Sequence, residues 1–159
     1  MPPIPEMTRY GDWTIDIGHV ADDAAVVALW TDCGLTRPWN DPFDDLALAR
    51  AGPHSILLVA RIGGAVVGSA LVGGDGHRAW VYYLAVAPDL QRSGLGRGLM
   101  AAAEHWARQQ GLPKLQLMVR DGNEAAAGFY AALGYELQPV QVWGRRLDGA
   151  AGSSLRNTP

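Results

Sequence analysis

Val81-Tyr82-Tyr83-Leu84-Ala85-Val86-Ala87-Pro88-Asp89-Leu90-Gln91-Arg92-Ser93-Gly94-Leu95-Gly96-Arg97 is the stretch around which the chain is organised. Its first six residues are an apolar run that reads as a buried strand. Pro88 closes the run, Gly94 and Gly96 space a tight turn, and a helical pattern is expected from Gly98. A buried strand therefore feeds a loop whose backbone amides open a helix. The first amides of a helix lack internal acceptors and lie at the positive end of its dipole. Strand, glycine turn and helix in this order make a ready anion site.

The residues around the turn narrow what that anion is. A dinucleotide fingerprint needs glycine at three positions, G-x-G-x-x-G, and after Gly94 and Gly96 the third position is Leu99. The strand also follows a hairpin meander instead of opening a strand–helix–strand unit. A nicotinamide-dependent Rossmann domain therefore fits poorly. A P-loop needs Gly-Lys-Ser/Thr, which is absent. Two readings remain: a phosphate-rich ligand held by backbone amides, or a glycine-rich structural turn.

Composition bounds the answer further. The 159 residues suit one α/β domain, and 48% hydrophobic residues suffice for its core. A formal charge of −3, a single lysine and no basic run argue against nucleic acid. Residues 1–60 carry nine acids against three Lys/Arg, whereas residues 61–159 carry seven against ten. The glycine loop thus lies in the basic part, and an acidic part is left for a cationic partner. Cys33 is the sole cysteine, so neither a disulfide nor a cysteine metal site is expected, and a reducing, cytoplasmic compartment is. The opening MPPIPEM has no secretory pattern, no apolar run reaches 18 residues, and the histidines lack metal-site spacing, so membrane and metal are not expected.

Along the chain, the proline-rich residues 1–12 are expected to be loosely held. Thr14 to Ile17 read as a first strand, followed by a helix capped by Asp22 or Asp23 and stopped at Gly34. The segment 36–45, TRPWNDPFDD, forbids a regular strand. It is either a helical connection anchored by Trp39 and Phe43 or a lid with an acidic rim at Asp41, Asp44 and Asp45. Ile56–Ile62, Ala65–Val72 and Arg78–Ala87 form a meander, turned at Gly63-Gly64 and at Gly73–Gly76. Gly68 marks a bulge or a close approach. Gly98–Gln110 is a helix, Lys114–Arg120 a strand and Glu124–Leu133 a helix. Tyr135–Leu137 and Val140–Trp143 read as closing strands.

Two motifs now carry a resemblance. Gln91-Arg92-Ser93-Gly94-Leu95-Gly96 resembles the Q/R-x-x-G-x-G/A signature of the GNAT family of N-acetyltransferases, and Leu84-Ala85-Val86-Ala87-Pro88 resembles the strand ending before it. Asn123, followed by Ala127-Gly128-Phe129-Tyr130-Ala131-Ala132-Leu133-Gly134-Tyr135, resembles the second family signature. RPWNDP and GGDGHR further resemble a small bacterial subgroup called YpeA-like. The resemblance implies an α/β GNAT (acyl-CoA N-acyltransferase) fold, with a mixed central sheet in the order β-α-α-β-β-β-α-β-α-β-β. It implies a single domain over residues 1–147; residues 148–159, small, polar and unpatterned, read as a disordered tail.

The resemblance also implies acetyl-CoA as cofactor and an amine, a small molecule or a peptide N-terminus, as its partner in the reaction. The main chain of Leu84, Ala85 and Val86 would meet the pantetheine arm. Gln91, Arg92, Ser93, Gly94, Leu95, Gly96, Arg97 and Gly98 would surround the pyrophosphate, and Asn123 would lie near the pantetheine and the next helix start. Tyr130 stands where relatives place the tyrosine that protonates or hydrogen-bonds the coenzyme A sulfur. Relatives that acetylate peptide N-termini often carry a glutamate where this chain has Met118. The base is therefore sought at Asp75 and His77, at Tyr82 or Tyr83 through water, or among the lid acids; ordered water alone is a further route. A non-catalytic CoA-binding module is the alternative reading, and monomer and homodimer are both open.

Overall fold

The computed structural model describes residues 8–149, and these form two compact units that divide between Arg120 and Asp121. In the first unit, strands β1 (Thr8–Tyr10), β2 (Trp13–Ile17), β3 (Ser55–Ile62), β4 (Ala65–Gly74), β5 (Ala79–Val86) and β6 (Leu115–Leu117) lie side by side in chain order. Neighbours are antiparallel except β5 and β6, which run parallel because a helix carries the chain between them. That helix is α3 (Leu95–Gln109); α1 (Asp23–Asp32) and α2 (Pro42–Ala51) connect β2 to β3.

The two-residue alternation of the strands sorts the core into two layers. Leu57 and Val59 of β3, Leu71 of β4 and Ala85 of β5 pack with Val26, Leu29 and Trp30 of α1 and Leu46 of α2. On the opposite face α3 turns Leu95, Leu99, Met100, Ala103 and Trp106 inward. A Cβ at Gly68 would stand 2.5 Å from Leu95 Cδ2, and one at Gly98 would stand 2.4 Å from Trp13 Cη2. Both glycines let α3 lie close to the sheet. At Gly68 the close-approach expectation holds, and the β3–β4 register also shifts beside it, between Ala60 and Arg61.

Several boundaries differ from expectation. Thr8–Tyr10, expected to be loose, pairs with β2 through a turn at Gly11, whose φ is +59°; residues 1–7 lie outside the described residues. Asp22 does not cap α1 with its side chain. It accepts from the His19 amide and from Arg61, closing a 3-10 turn at Val20–Asp22, while Asp23 pairs with Arg50. The ion pairs thus take up carboxylates that sequence reasoning gave to a cap. The strand expected over Lys114–Arg120 is only three residues long. Helix α3 starts at Leu95, three residues before the expected Gly98, because Gly94 takes φ +88° and turns the chain into the helix at once.

The second unit holds α4 (Glu124–Ala132). The Asn123 side chain caps it, accepting from Ala126 N at 3.1 Å, and Gly134 leaves it with φ +89°. The strands expected at Tyr135–Leu137 and Val140–Trp143 do not form among the described residues. The backbone is turned locally instead, with Val140 N donating to Gln138 O. Leu137, Val140, Val142 and Trp143 are exposed. Their pattern favours a strand, but a strand exists only where a ladder takes its backbone groups. The tail expected to be disordered lies, beyond Gly149, outside the described residues.

Candidate active site

The second half of β5 is irregular where the glycine loop follows it. Ser69 opposes Ala85 and Leu71 opposes Tyr82, so two residues of β5, Tyr83 and Leu84, face one of β4. This is a bulge. Tyr83 holds φ +50°, a conformation uncommon for a bulky residue. β6 pairs with β5 only from Ala79 to Val81. Beyond that point, from Tyr82 to Val86, no described strand flanks β5 on its β6 side. Ala85 faces the core, and Leu84 and Val86 are half-buried.

From Pro88 a short 3-10 turn leads into the glycine loop. Arg92 (φ +65°) and Gly94 (φ +88°) are both left-handed, and the Ser93 amide between them donates to Leu90 O at 3.3 Å. At the start of α3 the Gly98 amide donates to Gly94 O at 3.0 Å, the first bond of the helix. The amides of Leu95, Gly96 and Arg97 precede it and have no acceptor within the helix. A Cβ at Gly94 would meet nothing within 4 Å, so it is the left-handed turn and not crowding that calls for glycine there. Arg92 and Arg97 are exposed and form no salt bridge among the described residues. These residues fit an anionic group. The Gly98 amide is used inside the helix, and its missing side chain makes room for Trp13.

Asp75 and His77 are elsewhere. They form the turn between β4 and β5, at the start of an eight-residue strand whose fifth and sixth residues, Tyr83 and Leu84, form the bulge. Strand rise separates the start of β5 from the bulge by roughly 15 Å. The Asp75 carboxylate accepts from the amides of His77 (2.8 Å) and Arg78 (2.6 Å) and from Trp80 Nε1 (3.0 Å). Those bonds, the Arg78 amide foremost, hold its pKa down to about 2. Asp75 and His77, expected to supply the base, here build a turn, and an acid so stabilised as its anion is a poor proton acceptor.

The segment expected to be a lid or a helical connection supplies the N-cap and first turn of α2. Asp41 caps α2, its side chain accepting from Phe43 N at 2.8 Å, and Pro42 opens the helix. Pro38, Trp39, Asn40, Asp41, Pro42 and Phe43 line an open concavity of about 590 Å³. Behind it lies a polar cluster that sequence reasoning did not assemble. Tyr83 Oη donates to Asp45 Oδ2 at 2.5 Å, and the Asn40 amide donates to the same oxygen. Burial and Asp45 push the Tyr83 phenol up to about 12, so Tyr83 keeps its proton and is no base. Cys33 donates its thiol to Val86 O at 3.3 Å, and burial raises its pKa, which leaves it a poor nucleophile.

In the second unit Tyr130 is half-buried against Phe129 and Tyr135, both in edge contact, with centroids 5.0 and 6.0 Å away. Burial pushes its phenol up to about 12. Asn123 is the cap already described. Met118, in the position where a glutamate was sought, lies just past β6 and is half-exposed. Among the described residues no cluster of His, Cys, Asp and Glu is arranged to hold a metal, and no helix is long and apolar enough to cross a membrane.

Residues 24–135, covering the bulge, the glycine loop and α4, match the family model described as Acetyltransferase (GNAT) family. The chain belongs to the GNAT acetyltransferase family. An acetyltransferase of Yersinia enterocolitica is 42% identical over 133 residues, which cover 84% of this chain and 94% of the relative. One of Pectobacterium atrosepticum is 41% identical over 126 residues, 79% and 89% of the two chains. An aminoglycoside N-acetyltransferase solved with CoA has the same fold: TM-score 0.74, 17% identity, covering 87% of this chain and 97% of that one. The ribosomal-protein-S18-alanine N-acetyltransferase of Escherichia coli is similar at TM-score 0.66 and 25% identity, over 77% and 76%. The chain is thus an acetyltransferase with the α/β GNAT fold. Its mixed sheet has one strand more at the start than expected, and the two closing strands are not formed among the described residues.

Proposed function

We propose that this acetyltransferase moves the acetyl group of acetyl-CoA to the primary amine of a small cationic molecule or a peptide N-terminus, by direct attack in a ternary complex. The observation that carries the reading is the sequence of strained bulge, left-handed loop and three helix amides without intrahelical acceptors in a GNAT chain. Both the aminoglycoside and the ribosomal-protein-alanine enzymes among its structural neighbours take amine acceptors by name, which supports an amine here.

The roles follow from the groups present. Acetyl-CoA, when bound, supplies an activated acyl carbonyl and a thiolate leaving group. The amides of Leu95, Gly96 and Arg97, with Gln91, Ser93 and Gly94 shaping the loop, hold the pyrophosphate; Arg92 and Arg97 add charge. The main chain of Leu84, Ala85 and Val86 would align the pantetheine arm, and Asn123 would add a contact. Tyr130 keeps a proton at its phenolic oxygen through the working pH range and donates it toward sulfur. Trp39, Phe43, Asp41 and Asp44, at or beside the concavity, attract a cationic amine. The amine proton leaves through water, since Asp75 and Asp45 already accept hydrogen bonds within the protein. Isothermal titration with acetyl-CoA, followed by thiol release with an amine panel, tests the reading. Binding without amine-dependent thiol release would favour the non-catalytic CoA-binding module.

A further inference from the structure

Tyr83 is the strained residue of the β5 bulge, and three separate contacts hold it there. Its ring stacks on Trp30, with centroids 3.8 Å apart and planes 6° from parallel. Its carbonyl accepts from Ser69 Oγ at 3.3 Å. Ser69 is itself fully buried and accepts from Trp30 Nε1 at 2.8 Å, so Trp30 grips both the ring and, through Ser69, the backbone of Tyr83. The third contact is the hydroxyl, which donates to Asp45 of α2; Asn40, on the rim of the concavity, donates both to that carboxylate and to Tyr83 Oη at 3.2 Å.

A β-strand has no intrinsic reason to keep a tyrosine at φ +50°. Such conformations persist only where their surroundings over-determine them, and they collect at functional sites. Here the surroundings are α1 on one side and the start of α2 on the other. The residue after Tyr83 is Leu84, where the main chain assigned to the acyl-bearing arm begins. The Asp45–Tyr83 bond therefore joins the acceptor-side segment to the donor-side backbone in one step.

We propose that Tyr83 is a positioning residue that locks the β5 bulge and, through Asp45 and Asn40, couples it to the acceptor-binding segment at the start of α2. Movement of that segment when an amine binds is transmitted to the backbone of Leu84–Val86, and the reverse. The catalytic half of this inference rests on the functional reading above; the mechanical half does not.

Three variants separate the two halves. Y83F keeps the ring on Trp30 and removes both hydroxyl bonds. D45A removes the acceptor, whereas D45N keeps an amide oxygen in its place. Hydrogen exchange of the free proteins, read on peptides spanning residues 80–87, should be at least about fivefold faster in Y83F and D45A. D45N should lie nearer wild type, and β3 should be unchanged. In steady-state assays Y83F should lose about tenfold or more in kcat, with acetyl-CoA Kd within about threefold of wild type. Unchanged exchange at 80–87, or equal acceleration in β3, would overturn the lock. Faster exchange with unaltered kcat would overturn the catalytic coupling. Failure of wild-type protein to bind acetyl-CoA would overturn the functional reading, and the exchange data would still decide the lock.

Discussion

Asp75, Asp45 and Asp22 are the same side chain in three settings. Asp75 has its oxygens filled by its own turn, Asp45 accepts a phenol and an amide, and Asp22 pairs with Arg61. Residue type alone does not tell them apart: the partners of Asp75 lie within five residues of it, whereas Tyr83 and Arg61 reach Asp45 and Asp22 from 38 and 39 positions away. Tyr130 is the contrasting case. Burial raises its pKa to about 12, which favours the protonated form that a donor needs. Y130F should therefore reduce kcat by about 10²-fold with little change in acetyl-CoA affinity, the range typical for a positioned proton donor; stopped assays beside isothermal titration check the split. Because the folded pKa lies above the ordinary 10, the neutral phenol persists as pH rises. The pH profile of kcat should climb as the acceptor amine loses its proton and show no fall from Tyr130 below pH 10. A falling limb centred near 9 would exclude the role.

At the scale of elements, α3 shows how much of the fold was legible. Its amphipathic face and the small residues on it were readable, because helical spacing and glycine chemistry are local. Its start was not, because the left-handed turn at Gly94 depends on backbone geometry that sequence spacing expresses only loosely. Gly98 reads as part of the phosphate loop, and its close approach to Trp13, 85 positions earlier, is invisible to a local reading. G98A tests this. Alanine favours the helix by roughly 1 kcal/mol, yet its Cβ would overlap an aromatic ring, and overpacking costs about 1–3 kcal/mol. We expect a net loss of about 1 kcal/mol by urea denaturation, with acetyl-CoA affinity unchanged. A stabilised G98A would mean that α3 does not sit as closely on β2 as described.

The closing strands mark the opposite limit. Val140, Val142 and Trp143 have the right composition, but pairing is a property of the partner as much as of the segment. The site was legible to the same extent. The loop and Tyr130 came from contiguous motifs, whereas the link from Trp30 through Tyr83 to Asp45 joins α1, β5 and α2 and has no signature along the chain.

For the whole molecule, the depressed carboxylates set the acid limit. Asp22 is held below its ordinary value chiefly by the hydrogen bond from Arg61, against a smaller opposing effect of burial, and Asp75 by its turn amides. A group whose folded pKa is depressed contributes stability that is present above its unfolded pKa, near 4, and lost as pH falls through the folded value. The unfolding midpoint should therefore be level from about pH 5 upward and drop between about pH 4 and 2. D22N should start lower at neutral pH and lose less across that window, as thermal melts at pH 7, 4 and 2.5 would register. Equal acid sensitivity in D22N and wild type would mean that the Arg61 pair contributes nothing.

The central claim is that the bulge, the loop and the start of α3 present acetyl-CoA to an amine. Its most direct test is continuous thiol release by the purified full chain with acetyl-CoA, across polyamines, amino sugars and peptides with free N-termini. The account predicts saturable, amine-dependent release of one thiol per acetylated product, with at least one cationic primary amine well above the hydrolysis background. Folded protein that binds acetyl-CoA yet gives no release above that background with any amine would contradict it.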